Sequence, residues 1–270
     1  MIELTDREFT TLRDYVLKNF GIDLSKKRVL IQGRLTTTLQ QKGFANFTDY
    51  IQFVMADKTG TEVNLLLNKL TTNLTYFMRE KEHFDYVRDV VLPEFDRAGG
   101  KREIRVWSAG CSSGEEPYTL AMTIMDYYAG KGNAPKISLL ASDISQKVLA
   151  EAQKAVYLEE GLKDLPTGWK TKYFDHMGGD EYRVKDAVRQ KVTFKTVNLM
   201  DPFRFSAPFE IIFCRNVMIY FEKQRKNELI NKYYTWTRPG FYFFISHSEN
   251  VDRNSSQFRM VKPSIFRRDP

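Results

Sequence analysis

Up to about residue 80 the apolar positions recur with helical spacing; beyond about residue 100 they gather into short solid runs. Thr5-Asp-Arg-Glu8 has the form of a capping box, leads into Phe9, Leu12 and Val16, and is followed by Gly21 where a helix would close. Ser25 is placed to cap a second helix, in which Ile31, Leu35 and Leu39 recur every four residues before Gly43. Phe47, Tyr50 and Val54 predict a third helix, and Val63, Leu66, Leu67 and Leu70 a fourth. Phe84, Val87 and Val91 predict a connecting helix that ends at Pro93, whose ring cannot sit inside a regular helix.

The pattern divides near Gly99-Gly100. After it, the β-rich runs Ile104–Ala109, Ile137–Ser142, Val192–Val197, Phe209–Cys214 and Phe241–Ser246 alternate with helical stretches. That alternation predicts an α/β fold, a doubly wound, mostly parallel sheet with helices on both faces. Tyr182–Val184 and Gln190–Phe194 read as a small antiparallel hairpin inserted into it. The expected organisation is a helical N-terminal domain over 1–80, a connecting helix and linker over 81–100, and an α/β domain over 101–270 with a β-hairpin subdomain at about 176–195.

Composition narrows the class. A hydrophobic fraction of 42% with abundant aromatics is that of a folded globular protein. No apolar run is long enough to span a bilayer, and residues 1–20 carry charges without a signal-type core, so a cytoplasmic protein without membrane insertion is expected. Cys111 and Cys214 are far apart in sequence, which favours reduced thiols over a disulfide, and two thiols alone make a poor zinc site; no metal is expected. A net charge of +7 hints at an acidic partner, although 34 acids are mixed among the 41 bases.

The most informative stretch is Arg105-Val-Trp-Ser-Ala-Gly-Cys-Ser-Ser-Gly-Glu-Glu-Pro-Tyr118. It reads as a strand, a turn of small residues and a helix start, the cofactor-binding corner of doubly wound folds. Gly110 and Gly114 are spaced unlike a dinucleotide fingerprint, and Glu115 and Glu116 would repel a pyrophosphate. A ligand with an amine, a sulfonium and ribose hydroxyls suits the corner, which points to S-adenosylmethionine. Asp143 follows the second strand, where a carboxylate can accept from both ribose hydroxyls, although a turn or capping acid would look the same. Ser145 would cap the next helix. Asn198 follows another strand and could meet an adenine edge, and Arg215-Asn216 ends a buried strand at the same edge of the sheet; both asparagines could equally be turn residues.

These blocks resemble the chemotaxis receptor glutamate methyltransferases, the CheR family, across nearly the whole chain. Leu70-Thr-Thr-Asn-Leu-Thr-Tyr-Phe-Met-Arg-Glu80 joined to Phe213-Cys-Arg-Asn-Val-Met-Ile-Tyr-Phe221 is the most specific part, with Ser246-His-Ser-Glu249 further on. The resemblance implies a class I S-adenosylmethionine-dependent methyltransferase domain packed against an all-helical N-terminal domain. It further implies methyl transfer to glutamate side chains of membrane chemoreceptors, with S-adenosylhomocysteine as product, for sensory adaptation. The cofactor contacts it implies fall on Asn73, Thr75, Arg79, Glu116, Asp143, Asn198, Leu199, Asn216 and Val217; between Glu115 and Glu116 the family pattern favours Glu116. Ser246 stands where members often have glycine, and the short segment His176–Tyr182 suggests independence from a receptor C-terminal tether peptide.

A glutamate is ionised near neutral pH, so methyl transfer to it needs placement in line with the donor rather than a strong base. Arg79 is the candidate to orient the substrate carboxylate, and Tyr220 the candidate to set a hydroxyl beside the reacting centre. The competing roles are a surface ion pair of Arg79 with Glu80 or Glu82, and simple packing of Tyr220. Between Asp23 and Asp49 no acid occurs, whereas Lys26, Lys27, Arg28 and Arg34 do; this stripe is the candidate dock for the acidic helical bundle of a chemoreceptor. A nucleic-acid methyltransferase would share the fold, but Cys214-Arg-Asn-Val217 replaces the usual amino-group motif, and no nucleic-acid partner is expected. A nicotinamide dehydrogenase fails on glycine spacing. A non-catalytic sensor of the methyl donor is disfavoured by Arg79 and Tyr220, and a monomer is the default.

Overall fold

The computed structural model of the chain describes residues 2–71, 73–99 and 103–270. Thr72 of the quoted motif and Gly100 of the expected divide lie outside the described residues.

Four helices open the chain: α1 (Asp6–Phe20), α2 (Arg28–Lys42), α3 (Phe47–Ala56) and α4 (Thr61–Leu70). The expected capping box is present at Thr5 and Glu8, and Gly21 and Gly43 close α1 and α2 in the left-handed conformation. Leu12, Val16, Ile31, Leu35, Leu39, Phe47, Tyr50, Val54, Leu66, Leu67 and Leu70 meet in one buried core, as their spacing requires. Ser25 does not cap α2. Its hydroxyl donates to Asp23 Oδ1 at 2.6 Å, because an Asx-type turn precedes the helix and α2 starts three residues later with Lys27 as an unbonded N-cap.

The connecting helix runs past Pro93. It comprises α5 (Lys81–Tyr86), a π-turn (Val87–Val91) and α6 (Leu92–Arg97). The widened turn, in which the Leu92 N–H reaches back to Val87 O, re-registers the helix so that Pro93 stands in the first turn of α6, where a missing N–H costs nothing.

The remaining elements are β1 (Glu103–Ala109), α7 (Glu115–Tyr127), β2 (Lys136–Asp143), α8 (Gln146–Lys154), β3 (Val156–Leu158), α9 (Trp169–Tyr173), β4 (Phe174–Gly178), β5 (Glu181–Val184), α10 (Asp186–Arg189), β6 (Val192–Thr196), β7 (Phe209–Phe213), α11 (Lys223–Trp236), β8 (Thr237–Phe244), β9 (Arg259–Lys262) and β10 (Ile265–Arg267). The main sheet has the order β6-β2-β1-β7-β8-β10-β9, parallel from β6 to β8 and antiparallel through β10 and β9. Alternate strand residues feed opposite faces. Ile104, Val106, Ile211 and Phe213 pack with α7 and the 81–97 helix, whereas Trp107, Ala109, Ile212 and Cys214 pack with α11. Trp107 is fully buried, and its Nε1–H donates to Ser142 Oγ at 2.9 Å.

The strand pairing departs from the expected hairpin. Gln190–Phe194 is not the partner of Tyr182–Val184: Val192–Thr196 is β6, an edge strand parallel to β2. The small antiparallel sheet is three-stranded, β3-β5-β4, drawing on residues 156–158 and 174–178, and its tight turn is Gly179-Asp180. A turn that short fixes the pairing of β5 with the strand just before it. Beyond the last expected run, Phe241–Ser246, β9 and β10 extend the sheet.

Candidate functional site

The cleft lies at the C-terminal edge of β1, β2, β6 and β7, where open parallel sheets gather ligands. The helical domain closes it from above. Asp23 N–H donates to Tyr220 O at 2.8 Å, Ile22 bridges to Phe221, and Asn198 Nδ2–H donates to Asn19 O at 3.0 Å. Gly21 makes this approach possible, since a Cβ there would stand 2.5 Å from Met200 Sδ.

Asn73, Thr75, Arg79, Gly110, Glu116, Asp143, Asn198, Leu199, Asn216, Val217 and Tyr220 all line this cleft, although their positions span most of the chain. Glu115 does not. It faces Ser113, whose hydroxyl donates to it at 2.8 Å, while Glu116, one position on around the helix, accepts from Ser108 Oγ at 2.7 Å and faces inward.

Gly110 is required by its neighbour: with φ of 85° and a notional Cβ 2.2 Å from Val217 Cγ2, it lets the β7 turn close over the β1 turn. Asp143 is a turn acid that also borders the cleft. Its carboxylate accepts from the N–H groups of Ser112 and Ser145, each at 2.9 Å, and still lines the cleft. Burial pushes its carboxyl above the ordinary value, while those backbone donors pull it down. Ser145 caps α8 as expected. The Asn198 amide is spent on the Asn19 carbonyl and on Met200 N–H at 3.1 Å, so its side chain acts as a turn and a domain tie.

Arg215 is the residue that sequence reasoning underrated. Its side chain is 1% exposed and reaches Glu80 at 3.1 Å and Glu116 at 3.2 Å, and it also donates to the Arg79 carbonyl. Burial raises the Glu116 carboxyl and the Arg215 charge is the chief opposing influence. Glu80 is thereby occupied and Glu82 pairs with His247 at 2.5 Å, so neither serves as a partner for Arg79 in the ion pair considered for it. Arg79 instead donates to Leu74 O at 2.5 Å and lies over the Tyr76 ring. Ser112, Ser246 and Glu249 also belong to the site's framework; the only sequence signal for them was their place in motif blocks. Asn216, Ser112, Glu80 and Met78 all take left-handed backbone conformations, and such strain concentrates at binding sites.

Of the basic stripe, Lys27 Nζ stands 4.5 Å from the centre of the Tyr220 ring at the cleft mouth. Arg28 pairs with Asp6 at 2.5 Å, Arg34 donates to the carbonyls of Lys69 and Thr71, and Lys26 is exposed. Both cysteines are buried free thiols, pushed well above their ordinary pKa by burial. Among the described residues Glu80, His83 and His247 hold ligand atoms within 4.8 Å of one another, but the Arg215 guanidinium already occupies Glu80. No helix of the described residues is long and apolar enough to cross a membrane.

The CheR methyltransferase all-alpha domain pattern matches residues 7–71, and the CheR methyltransferase SAM binding domain pattern matches residues 73–266. The chain belongs to the CheR family. It is 41% identical to the chemotaxis protein methyltransferase of Borreliella burgdorferi, over 99% of this chain and 96% of that one. Chemotaxis protein methyltransferase 1 of Pseudomonas aeruginosa is 32% identical over 95% of each chain, and the Escherichia coli chemotaxis protein methyltransferase 33% identical over 98% and 92%. As a CheR protein it is an S-adenosylmethionine-dependent methyltransferase of class I fold. The cleft suits that cofactor: acids for a cationic amino-acid end (Glu116) and for hydroxyls (Asp143), with an apolar wall from Ile144, Leu199, Val217 and Phe221.

Proposed function

We propose that this chain transfers the methyl group of S-adenosylmethionine to glutamate side-chain carboxylates in the helical bundle of membrane chemoreceptors. The products are a glutamate methyl ester and S-adenosylhomocysteine, and the ester serves sensory adaptation. The observation that carries the reading is the distribution of charge around the cleft: Asp143 and Glu116, the latter balanced by the buried Arg215, line its inner side, while Arg79 lines it from the helical side and Lys27 stands over the Tyr220 ring. A cationic donor belongs beside the acids and an anionic acceptor beside the cations.

The labour divides with the chain: a helical domain over 1–80, a connecting helix and linker over 81–100, and a methyltransferase domain over 101–270. Asn73, Thr75 and Arg79 hold the donor from the helical side, and Glu116 takes its ammonium. Asp143 accepts from the ribose hydroxyls, and Asn198, Leu199, Asn216 and Val217 enclose the adenine, Asn198 through its backbone. The bound cofactor supplies an activated methyl on a sulfonium. Arg79 offers its planar fork to the incoming carboxylate, loosely enough to leave one oxygen free to attack. Tyr220 places its ring and hydroxyl at the reacting centre, steadied by Lys27. No base is required, since the acceptor is already ionised, and neither buried thiol is available as a nucleophile.

The α2 region, with Lys26, Lys27, Arg28 and Arg34, faces the acidic receptor bundle, Lys26 and Lys27 by direct contact. The two-residue turn between β4 and β5 supports action without a receptor tether peptide. The enzyme works as a cytoplasmic monomer and not on nucleic acid. Incubation with methyl-labelled donor and receptor-bearing membranes tests this: mild base should release the label as methanol, equally from receptors with and without their C-terminal peptide. Base-stable label on nucleic acid overturns the assignment, and a strict need for the peptide overturns tether independence.

A further inference from the structure

Glu249 ends the block Ser246-His-Ser-Glu249, the one singled-out motif with no part in the proposed reaction. Its carboxylate stands behind the cleft wall. Oε1 accepts from the N–H groups of Val217 at 3.1 Å and Ile219 at 3.2 Å; Oε2 accepts from those of Asn216 at 3.1 Å and Ser246 at 2.8 Å. Four backbone donors thus converge on one mostly buried side chain, which makes no salt bridge among the described residues. Three of them belong to the turn after β7, whose first residue, Asn216, is held at φ 59°. An L-residue rarely rests there unless its surroundings enforce it. Ser246 extends the arrangement: its hydroxyl accepts from Asn216 Nδ2–H at 2.7 Å and donates to Glu80 Oε1 at 2.9 Å. A glycine at 246 could make neither bond.

We infer that Glu249 is a positioning residue for the cofactor: its carboxylate fixes the Asn216–Ile219 turn in the shape that presents Asn216 and Val217 to the cleft. It therefore sets methyl-donor affinity without touching the donor, and Ser246 couples that turn to Glu80 and its partner Arg215. The inference rests on the reading of the cleft as the donor site. Charge-assisted bonds from an ionised acceptor are about twice as strong as neutral ones, and an amide at 249 would turn an NH2 toward one pair of N–H donors. Glutamine therefore fits the space but not the role.

The test is calorimetric titration of S-adenosylhomocysteine into full-length wild-type, Glu249→Gln, Glu249→Ala and Ser246→Gly proteins, with amide hydrogen exchange on each ligand-free protein. Both Glu249 variants should bind roughly tenfold to a hundredfold more weakly, and Ser246→Gly about threefold more weakly. Exchange at Asn216, Val217 and Ile219 should accelerate in the Glu249 variants while β1 stays protected. Equal affinity of wild type and Glu249→Gln overturns the inference. So does weakened binding with exchange raised evenly across the sheet, or unfolding of Glu249→Gln, since either makes Glu249 a general structural residue. Failure of the wild type to bind overturns the reading of the cleft beneath it.

Discussion

Asp143 and Arg79 stand on the two proposed sides of the reaction and should fail differently. Removal of the Asp143 carboxylate takes away an acceptor that also ties the Ser112 and Ser145 turns. Asp143→Ala should weaken S-adenosylhomocysteine binding by about one to two orders of magnitude, read by calorimetry. Arg79→Ala should lose most turnover on receptor membranes, roughly a hundredfold, while donor affinity changes only a few-fold. At this scale much was legible, because motif blocks name residue types in order, and the structure brings all of those placed around the cofactor except Glu115 to one cleft. Arg215 was not legible as a hub. Its partners Glu80 and Glu116 are 135 and 99 positions away, and no local spacing reports such a meeting.

Helices announced themselves through spacing and caps, as α1 shows, whereas strand partners did not. Val192–Thr196 has the same β character whether it joins a hairpin or a parallel edge, and only the three-dimensional path of 159–191 decides. Pro93 misled for a different reason: the π-turn that accommodates it leaves no mark in composition. Element α2 with its preceding turn carries a testable role. Lys26 is exposed and Arg28 is drawn into an ion pair with Asp6, so Lys26→Glu reverses a charge at the proposed receptor-facing end and gives up only its charge attraction to Asp23. Its KM for receptor should rise several-fold, more at low salt than at high, with donor affinity unchanged; equal KM at all salt concentrations removes α2 from docking.

The whole molecule is a helical bundle with its own core and a sheet with a core on each face, joined along one seam. Gly21→Val would put a β-branched residue at a left-handed position and against Met200, at a cost of about 1–3 kcal/mol. It should lower both the melting temperature and donor affinity, because the seam is also the cleft's upper wall; a change in neither shows that the seam is slack. Acid should also act on the whole fold through His83. Burial, then the charges of Arg215 and His247, push this imidazole down to about 2 from 6.5, and the Glu80 carboxylate 3.4 Å from Nδ1 offsets little because Arg215 already holds it, so below pH 6.5 the unfolded chain takes up a proton that the folded chain refuses. Stability is thus intact above pH 6.5 and falls as pH drops toward 2, by up to about 1.4 kcal/mol per pH unit from this group. Denaturant midpoints between pH 7 and 5 should flatten in His83→Gln.

The burial of Trp107 beside α11 has a practical side. The chain's three indoles, Trp107, Trp169 and Trp236, all come after residue 100, so the N-terminal bundle has none. Indole emission therefore watches the sheet alone, and the bundle's own melting passes dark in that channel while far-ultraviolet dichroism still records it. Any gap between the two curves measures how independently the lid can let go.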